Sequence, residues 1–283
     1  MLPQVIFEGF AMGTIYALIA MGIALVWGVM NILSFSQGEF MMIAMFLAYY
    51  CNIWLGIDPI LSLPIVMAAM FLFGVVIYRT LISRALKGPV LSQRLITFAL
   101  GMVLTNGMLM LAGGQNKNIG DKLFEGSIDL GFMMISWQKM VPLFVGFVIT
   151  GLLFLFMNRT KTGKSIRATA QDKMAAGLMG IDTERAYTLA FGISSAIAGA
   201  AGCALSYYYF ISPTVGAPFL IFGFIAVCLG GFGSIGGAFV GGLIMGMIDL
   251  FTGTYLSVSY KYLAVCAIFM LIVSFKPRGL FGR

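Results

Sequence analysis

Three short patterns in the sequence contain the residue types found in nucleotide-binding turns and ion filters. Gly163-Lys164-Ser165 matches the end of a phosphate-binding loop, in which backbone amides and a lysine hold the phosphates of ATP. Residues 231–236, GFGSIG, have the glycine spacing of a dinucleotide-binding turn. Thr214-Val215-Gly216 is similar to a fragment of a potassium filter. These patterns would indicate an ATPase, a dehydrogenase and a channel, respectively.

The surrounding sequence argues against all three interpretations. Asn158 stands where the phosphate-binding loop requires its first glycine, and an apolar span rather than a β-strand precedes the pattern. No strand or ribose-binding acid accompanies residues 231–236, and Ala217-Pro218 departs from the filter pattern. We therefore expect close helix packing, or a break in a membrane helix, to account for the glycines of 231–236.

Groups that carry protons or bind metals are scarce. The chain has no histidine, and its four cysteines stand at irregular spacing in apolar stretches: Cys51, Cys203, Cys228 and Cys266. We predict free thiols, and neither a metal nor another cofactor. Glu39 and Asp249 are the ionisable candidates within apolar segments, and both lie near predicted helix ends, where an interfacial or capping role is expected. Ion-coupled carriers usually place ionisable groups within their spans, so this scarcity argues against proton or sodium coupling.

Composition places the chain among polytopic membrane proteins. Sixty per cent of its residues are hydrophobic, 10% are charged, and the mean hydropathy is +1.01. The net charge of +7 comes from basic residues clustered between apolar segments, which indicates topology signals rather than a nucleic-acid partner. We predict an all-α transmembrane bundle in one domain, 1–283, with no room between spans for a water-soluble domain.

The apolar segments predict about eight spans, plus or minus a re-entrant pair. They are 5–30, 40–54, 60–78, 95–113, 140–157, 187–211, 219–230, 236–250 and 262–275. The first is expected to be a retained span rather than a signal peptide. The segment 219–230 is only about 18 Å long as a helix, against a hydrocarbon core of roughly 30 Å. It is therefore predicted to be a half-helix that turns at 230–233, whereas the orientation of the N-terminus stays open.

Glycines near this turn are candidates for a helix break or for close packing. The set is Gly230, Gly231, Gly233, Gly236, Gly237 and Gly241. Gly237 and Gly241 stand four residues apart, a spacing that allows two helices to approach closely in lipid.

A polar segment, 159–185, separates two long apolar regions. It carries six Lys/Arg and three Asp/Glu, and the 63 residues after it contain no charge. Its basic excess places it in the cytoplasm. We predict one helix that starts at an N-cap on Thr162 and ends at Gly180 in the left-handed conformation, after which Asp182 caps the next helix. Composition alone is equally compatible with a solvated loop helix and with a partner-binding helix.

Three blocks of sequence resemble the ABC-importer permeases of the branched-chain amino acid class, the LivH type. They are residues 167–186 (RATAQDKMAAGLMGIDTERA), residues 13–39 and residues 222–242, and the C-terminal FKPRGLFGR adds to the match. The family usually has Ala-His-Gly-Glu where this chain has Ser36-Gln37-Gly38-Glu39, so any role of that histidine is absent here. The resemblance covers almost the whole chain.

The resemblance implies that the polar segment contains a coupling helix that docks onto an ATPase subunit. The residues assigned to it are Arg167, Ala168, Asp172, Lys173, Ala175, Gly177 and Gly180. Ala168, Ala175 and Gly177 would allow a close approach, and the charged residues would fix the register. Polar residues in or beside apolar segments are expected to face either the translocation route or another helix: Asn31, Ser36, Gln37, Glu39 and Asn106.

The resemblance implies a non-enzymatic permease subunit of a bacterial ABC importer in the inner membrane, carrying branched-chain or related hydrophobic amino acids. The implied partners are a second homologous permease, two ATP-binding subunits that hydrolyse the ATP, and a periplasmic substrate-binding protein. Urea, short amides and small carboxylates are alternative substrates. An ATP-independent channel or secondary carrier is the alternative from a different class.

Overall fold

The computed structural model describes residues 2–120, 126–129, 134–257, 260–276 and 279–281. These residues are predominantly helical, which confirms the predicted all-α class. Within them, β1 (Ser127–Asp129) and β2 (Met134–Ser136) form a short antiparallel ribbon. The ribbon belongs to the segment 115–139, between the apolar segments 95–113 and 140–157. Residues 121–125 and 130–133 of that segment lie outside the described ranges.

Long apolar stretches form the helices. In chain order they are α1 (Leu2–Met30), α2 (Gln37–Leu55), α3 (Pro59–Ile77), α4 (Ser83–Ala85), α5 (Val90–Ala112), α6 (Trp137–Arg159), α7 (Lys161–Gln171), α8 (Lys173–Leu178), α9 (Thr183–Leu205), α10 (Gly216–Gly230), α11 (Ile235–Tyr255) and α12 (Lys261–Phe275). A π-helical stretch, Tyr78–Ile82, joins α3 to α4.

Seven helices of the described ranges are long and apolar enough to cross a membrane: α1, α2, α3 with its continuation to Ala85, α5, α6, α9 and α11. The prediction from the sequence was about eight. The apolar segment 40–54 belongs to the 19-residue α2. By contrast, α10 and α12 have 15 residues each, so each is about 22 Å long and shorter than the roughly 30 Å core.

Helix α1 lies at the centre of the bundle. Nearly every residue from Ala11 to Met30 is buried, and α1 packs against α6, α9, α10 and α11. The contact with α11 is close because both helices present small residues. A Cβ atom added at Gly242 would overlap the backbone of Ala17, and one added at Gly246 would overlap that of Gly13.

Helices α3 and α9 run antiparallel beside α2. At one end, Tyr207 donates a hydrogen bond to the Asp58 carboxylate at 3.2 Å, and Asp58 caps α3 by accepting from the Ile60 N–H at 2.9 Å. At the other end, the Tyr78 hydroxyl donates to Glu184 at 3.1 Å, at the start of α9. These bonds fix both ends of the α3–α9 pair.

The orientation of the N-terminus, which the sequence left open, follows from the position of α1 relative to the polar segment once the side of that segment is given. Gly28 and Val29, at the C-terminal end of α1, line a cleft together with Arg167 and Ala170 of the polar segment. The basic residues of that segment predict that it lies in the cytoplasm, and α1 would then begin on the outer side of the membrane. Glu8, near the start of α1, pairs there with Lys139.

Candidate functional site

The polar segment forms two helices, so the predicted single helix from Thr162 to Gly180 is wrong. Helix α7 ends at Gln171, and Asp172 has an extended backbone, with φ −152° and ψ 111°. Its carboxylate accepts hydrogen bonds from the N–H groups of Met174 and Ala175 at 2.8 and 3.0 Å. This side-chain cap offers the backbone an alternative to continuing α7, so a second helix, α8, begins.

The start of α7 also differs from the prediction. The Thr160 hydroxyl, not that of Thr162, caps the helix by accepting from the Gly163 N–H at 2.9 Å. Gly163 is buried, and a Cβ atom there would overlap the backbone of Phe156 and Met157. The absence of a side chain at Gly163 therefore allows α7 to pack against the end of α6. Helix α6, not the β-strand that a phosphate-binding loop would require, leads directly into α7.

Helix α8 and the residue after it present an exposed apolar surface. Met174, Leu178 and Met179 are 81%, 89% and 83% exposed, whereas Ala176 is buried. We define Met174, Leu178 and Met179 as the α8 patch. Sequence reasoning missed these three residues because it assigned the docking contact to the small and charged residues of the segment. Large apolar side chains that are this exposed commonly mark a partner surface.

The small residues assigned to coupling have different environments. Ala175 and Gly177 are exposed, and the space around Gly177 is open, whereas Ala168 is half-buried. Gly180 has φ +81°, and the Ile181 N–H donates to the Ala176 carbonyl at 3.0 Å, which ends α8 in a left-handed turn.

The charged residues assigned to coupling hold the segment together. Arg167 donates to the Asn158 side chain at 2.8 Å, and the Lys173 ammonium lies 5.1 Å from the centre of the Tyr187 ring. Asp182 caps α9 by accepting from the Arg185 N–H at 3.1 Å, as predicted from the sequence. The α8 patch is thus presented by a helix that is capped at its start and braced against α9.

We expect Asp172→Ala to weaken ATPase association about fivefold, because losing an N-cap typically costs about 1 kcal/mol and would destabilise α8. Recovery of the ATPase subunits with the tagged permease measures this. Asp172→Asn is the matched control, since asparagine is an equally good N-cap that lacks the charge. Equal losses in both variants would assign the effect to charge rather than to capping.

Ser36, Gln37 and Glu39 lie inside the bundle, at the start of α2. The Gln37 amide donates to the carbonyl and hydroxyl oxygens of Ser194 at 2.9 and 2.7 Å. Ser194 in turn donates to the Gly22 carbonyl at 2.8 Å. Glu39 is 7% exposed. These bonds tie the beginning of α2 to α9 and α1.

Asn31 and Asn106 are exposed in the single chain and lie apart from the buried polar residues at the start of α2. Asn31 follows α1 with φ 56° and lines a cleft of about 500 Å³ beside Arg167 and Gln171 of the polar segment. The Asn106 amide donates to the Met102 carbonyl of its own helix at 2.7 Å. A role of these five polar residues in the pathway stays a prediction.

The glycines at 230–241 serve the turn between α10 and α11. Gly231 and Gly233 have φ values of +105° and +80°, which side chains with a Cβ rarely adopt. A Cβ at Gly230 or Gly237 would overlap the other residue, and one at Gly241 would overlap the Ala226 carbonyl. Gly236 faces the Phe154 ring. The two helices therefore form a tight hairpin at the end of the bundle where the polar segment lies.

Asp249 was predicted to lie near a helix end, and this is wrong because α11 continues to Tyr255. The carboxylate is 2% exposed and lies 3.2 Å from the Lys261 ammonium and 3.1 Å from the Tyr16 hydroxyl. Sequence reasoning missed both partners, since they come from α12 and α1.

Comparisons with known proteins agree with this architecture. Residues 5–274 match the family described as branched-chain amino acid transport system, permease component. The chain is 33% identical to the branched-chain amino acid permease LivH of Salmonella typhimurium, over 99% of this chain and 95% of that protein. It is 31% identical to BraD of Pseudomonas aeruginosa, over 99% and 95%. A weaker match is the fructose import permease FrcC of Rhizobium meliloti, 28% identical over 52% of this chain and 39% of that protein.

The structure of PsaBC from Streptococcus pneumoniae in complex with Fab is similar in fold. The TM-score is 0.51 and the identity 15%, over 98% of this chain and 97% of that one. This likeness concerns the fold alone. With the family match over nearly the whole length and a helical, membrane-spanning architecture, the conclusion is direct: this chain belongs to the branched-chain amino acid permease family of bacterial ABC transporters, as a multi-pass membrane component without a catalytic role.

Proposed function

We propose that this chain is one of two permease subunits of an ABC importer for branched-chain or related hydrophobic amino acids. The observation that carries the proposal is the α8 patch, an exposed apolar surface at the cytoplasmic end of a chain of this family. A surface of this kind gives a separate ATPase a place to bind. Flexible methionines adapt well to such a contact.

The surroundings of α8 explain how movement of the ATPase would reach the membrane. Helix α8 follows α7 directly, and α7 packs against α1, α6 and α9. Ile166 of α7 is fully buried, so a displacement of α7 displaces its neighbours. Force applied at the α8 patch would therefore act on the central helix α1.

A second permease is proposed because the described part of this chain has a closely packed centre, which leaves the route to be formed between two subunits. The interior around α1 is packed with buried side chains. Helix α5 exposes a long apolar face, which includes Leu91 at 67%, Val103 at 67% and Met110 at 88%. Such faces suit lipid or a second permease, either identical or homologous, and the route would lie between the two subunits.

The substrate assignment is supported by the relatives named for branched-chain amino acids at 33% and 31% identity. The family also includes a fructose import permease, so family membership alone does not define the solute. Urea, short amides and small carboxylates stay alternatives, since a periplasmic binding protein sets much of the selectivity.

Two buried carboxylates, Glu39 and Asp249, favour a second candidate, an ion-coupled carrier that works without ATPases. Co-purification from membranes distinguishes the two. The importer predicts that two ATP-binding subunits and a second permease are recovered with the tagged chain. A chain that purifies alone and still transports its solute along an ion gradient would support the carrier instead.

A further inference from the structure

A charged pair lies within the helical bundle, between α11 and α12. Asp249 Oδ2 accepts a hydrogen bond from the Tyr16 hydroxyl at 3.1 Å. Its Oδ1 atom faces the Lys261 ammonium at 3.2 Å, without the geometry of a hydrogen bond. The Asp249 side chain is 2% exposed and that of Lys261 is 24% exposed. The Asp249 end of the pair is therefore shielded from solvent, whereas the Lys261 end is partly accessible to it.

Stability alone does not account for this pair. Removing two charges from water carries a desolvation penalty that their attraction often fails to offset, and apolar residues of similar size are often as stable or more so. Ionisable residues within membrane helices face the bundle interior or a wet cavity and commonly mark the path of a solute. The open side at Lys261 shows where such a cavity would lie.

The face that carries Lys261 is unsuited to lipid. Tyr262, at the start of α12, stacks on Phe222 in the middle of α10 at 5.6 Å, so α12 begins at the depth of the middle of α10. The irregular segment 206–215 precedes α10 on the same side. Irregular backbone at membrane depth occurs only where protein or a water-filled cavity covers it. This face must therefore border a protein partner or water.

Aromatic rings surround the charged pair. Tyr16 lies 4.9 Å from Phe222 and 5.5 Å from Phe219, and Tyr209 lies 5.6 Å from Phe219. At the open surface, Tyr262 is 49% exposed. An apolar wall beside a paired ammonium and carboxylate is complementary to a zwitterion with a hydrophobic side chain.

We propose that the face of α10 and α12 around Lys261 lines the translocation route and binds the backbone of a zwitterionic, hydrophobic amino acid. Lys261 would bind the substrate carboxylate and Asp249 its ammonium group, so that two ion pairs replace one and the net charge is unchanged. Tyr16 positions the Asp249 carboxylate, and the flexible stem of Lys261 lets its ammonium move aside. This inference rests on the proposed function and deepens it.

The first test probes whether the face is wet. In a variant without the four native cysteines, assembled with its partners, Tyr262→Cys should react with a membrane-impermeant thiol reagent, and leucine should slow the reaction during turnover. Phe147→Cys is the matched control, because Phe147 of α6 is also aromatic and is 47% exposed. It should stay inert. Inertness of Tyr262→Cys in every nucleotide state would overturn the proposal.

The second test separates substrate binding from a purely structural pair. Asp249→Asn and Lys261→Met should each reduce leucine uptake about 30-fold or more, the loss expected when one partner of a buried charge pair is removed. The exchange variant Asp249→Lys/Lys261→Asp restores the pair and should restore membrane abundance. It should not restore uptake, because a carboxylate at position 261 repels the substrate carboxylate.

Exchange of the outer pair, Glu8→Lys/Lys139→Glu, is the control and should leave uptake near that of the wild type. Uptake restored by the exchange at 249 and 261 would show a structural pair and contradict the inference alone. If the wild-type assembly imports urea or a sugar but no amino acid, the proposed function itself fails, and the inference fails with it. The two failures are therefore distinguishable.

Discussion

Leu178→Glu is expected to weaken ATPase association about 30-fold or more while the permease stays folded in the membrane. Leu178 is 89% exposed, so the folded chain loses little, within about 0.5 kcal/mol. In a bound complex the same side chain would be buried at the centre of the α8 patch, where replacement of an anchor residue costs about 2 kcal/mol or more. That is a loss of about 30-fold in affinity. Recovery of the ATPases with the tagged permease measures it, against permease abundance in the same membranes.

Leu55→Glu is the matched control for this variant. Leu55 is also an exposed leucine, at 62%, but it ends α2 at the opposite side of the membrane. Its replacement should leave ATPase recovery unchanged. Undiminished recovery with Leu178→Glu would show that the ATPase binds elsewhere on the chain.

Gly246→Val is expected to prevent folding of the bundle or to destabilise it by about 3 kcal/mol or more, at the upper end of typical overpacking effects. The added side chain would overlap the backbone of α1 at Gly13 and Gly9. Neither α1 nor α11 can move away freely, because α1 is enclosed by other helices. The measurement is the amount of monodisperse permease and its melting temperature in detergent.

Gly151→Val provides the comparison, because Gly151 is an exposed glycine within α6 and has open space around it. It should change the melting temperature only slightly. Equal behaviour of the two variants would mean that the α1–α11 contact is looser than the structure shows.

The sequence predicted those features that depend on local pattern. Apolar segments located the long spans, and the cap on α9 followed from Asp182. The break between α7 and α8 at Asp172 was not predicted. One continuous helix and two successive helices would give the same spacing of apolar residues in this segment. Whether the helix continues or breaks depends on whether the Asp172 carboxylate accepts hydrogen bonds from the N–H groups that follow it.

Long-range contacts could not be read from the sequence. Asp249 meets Tyr16 across most of the chain, and no local pattern connects them. Hydropathy also fails to show that α12 begins at the depth of the middle of α10, since it reports apolar length but not position. Hydropathy likewise did not predict that α2 begins inside the bundle, where the Gln37 amide donates a hydrogen bond to Ser194.

Labelled leucine uptake into proteoliposomes tests the importer most directly. The vesicles contain the permease assembled with its partner permease and ATPases, with ATP enclosed and the binding protein outside. Leucine should accumulate only when ATP and the binding protein are both present, a protonophore or removal of sodium should not matter, and Leu178→Glu should eliminate accumulation. Uptake that proceeds without ATP and collapses with the ion gradient would contradict the account.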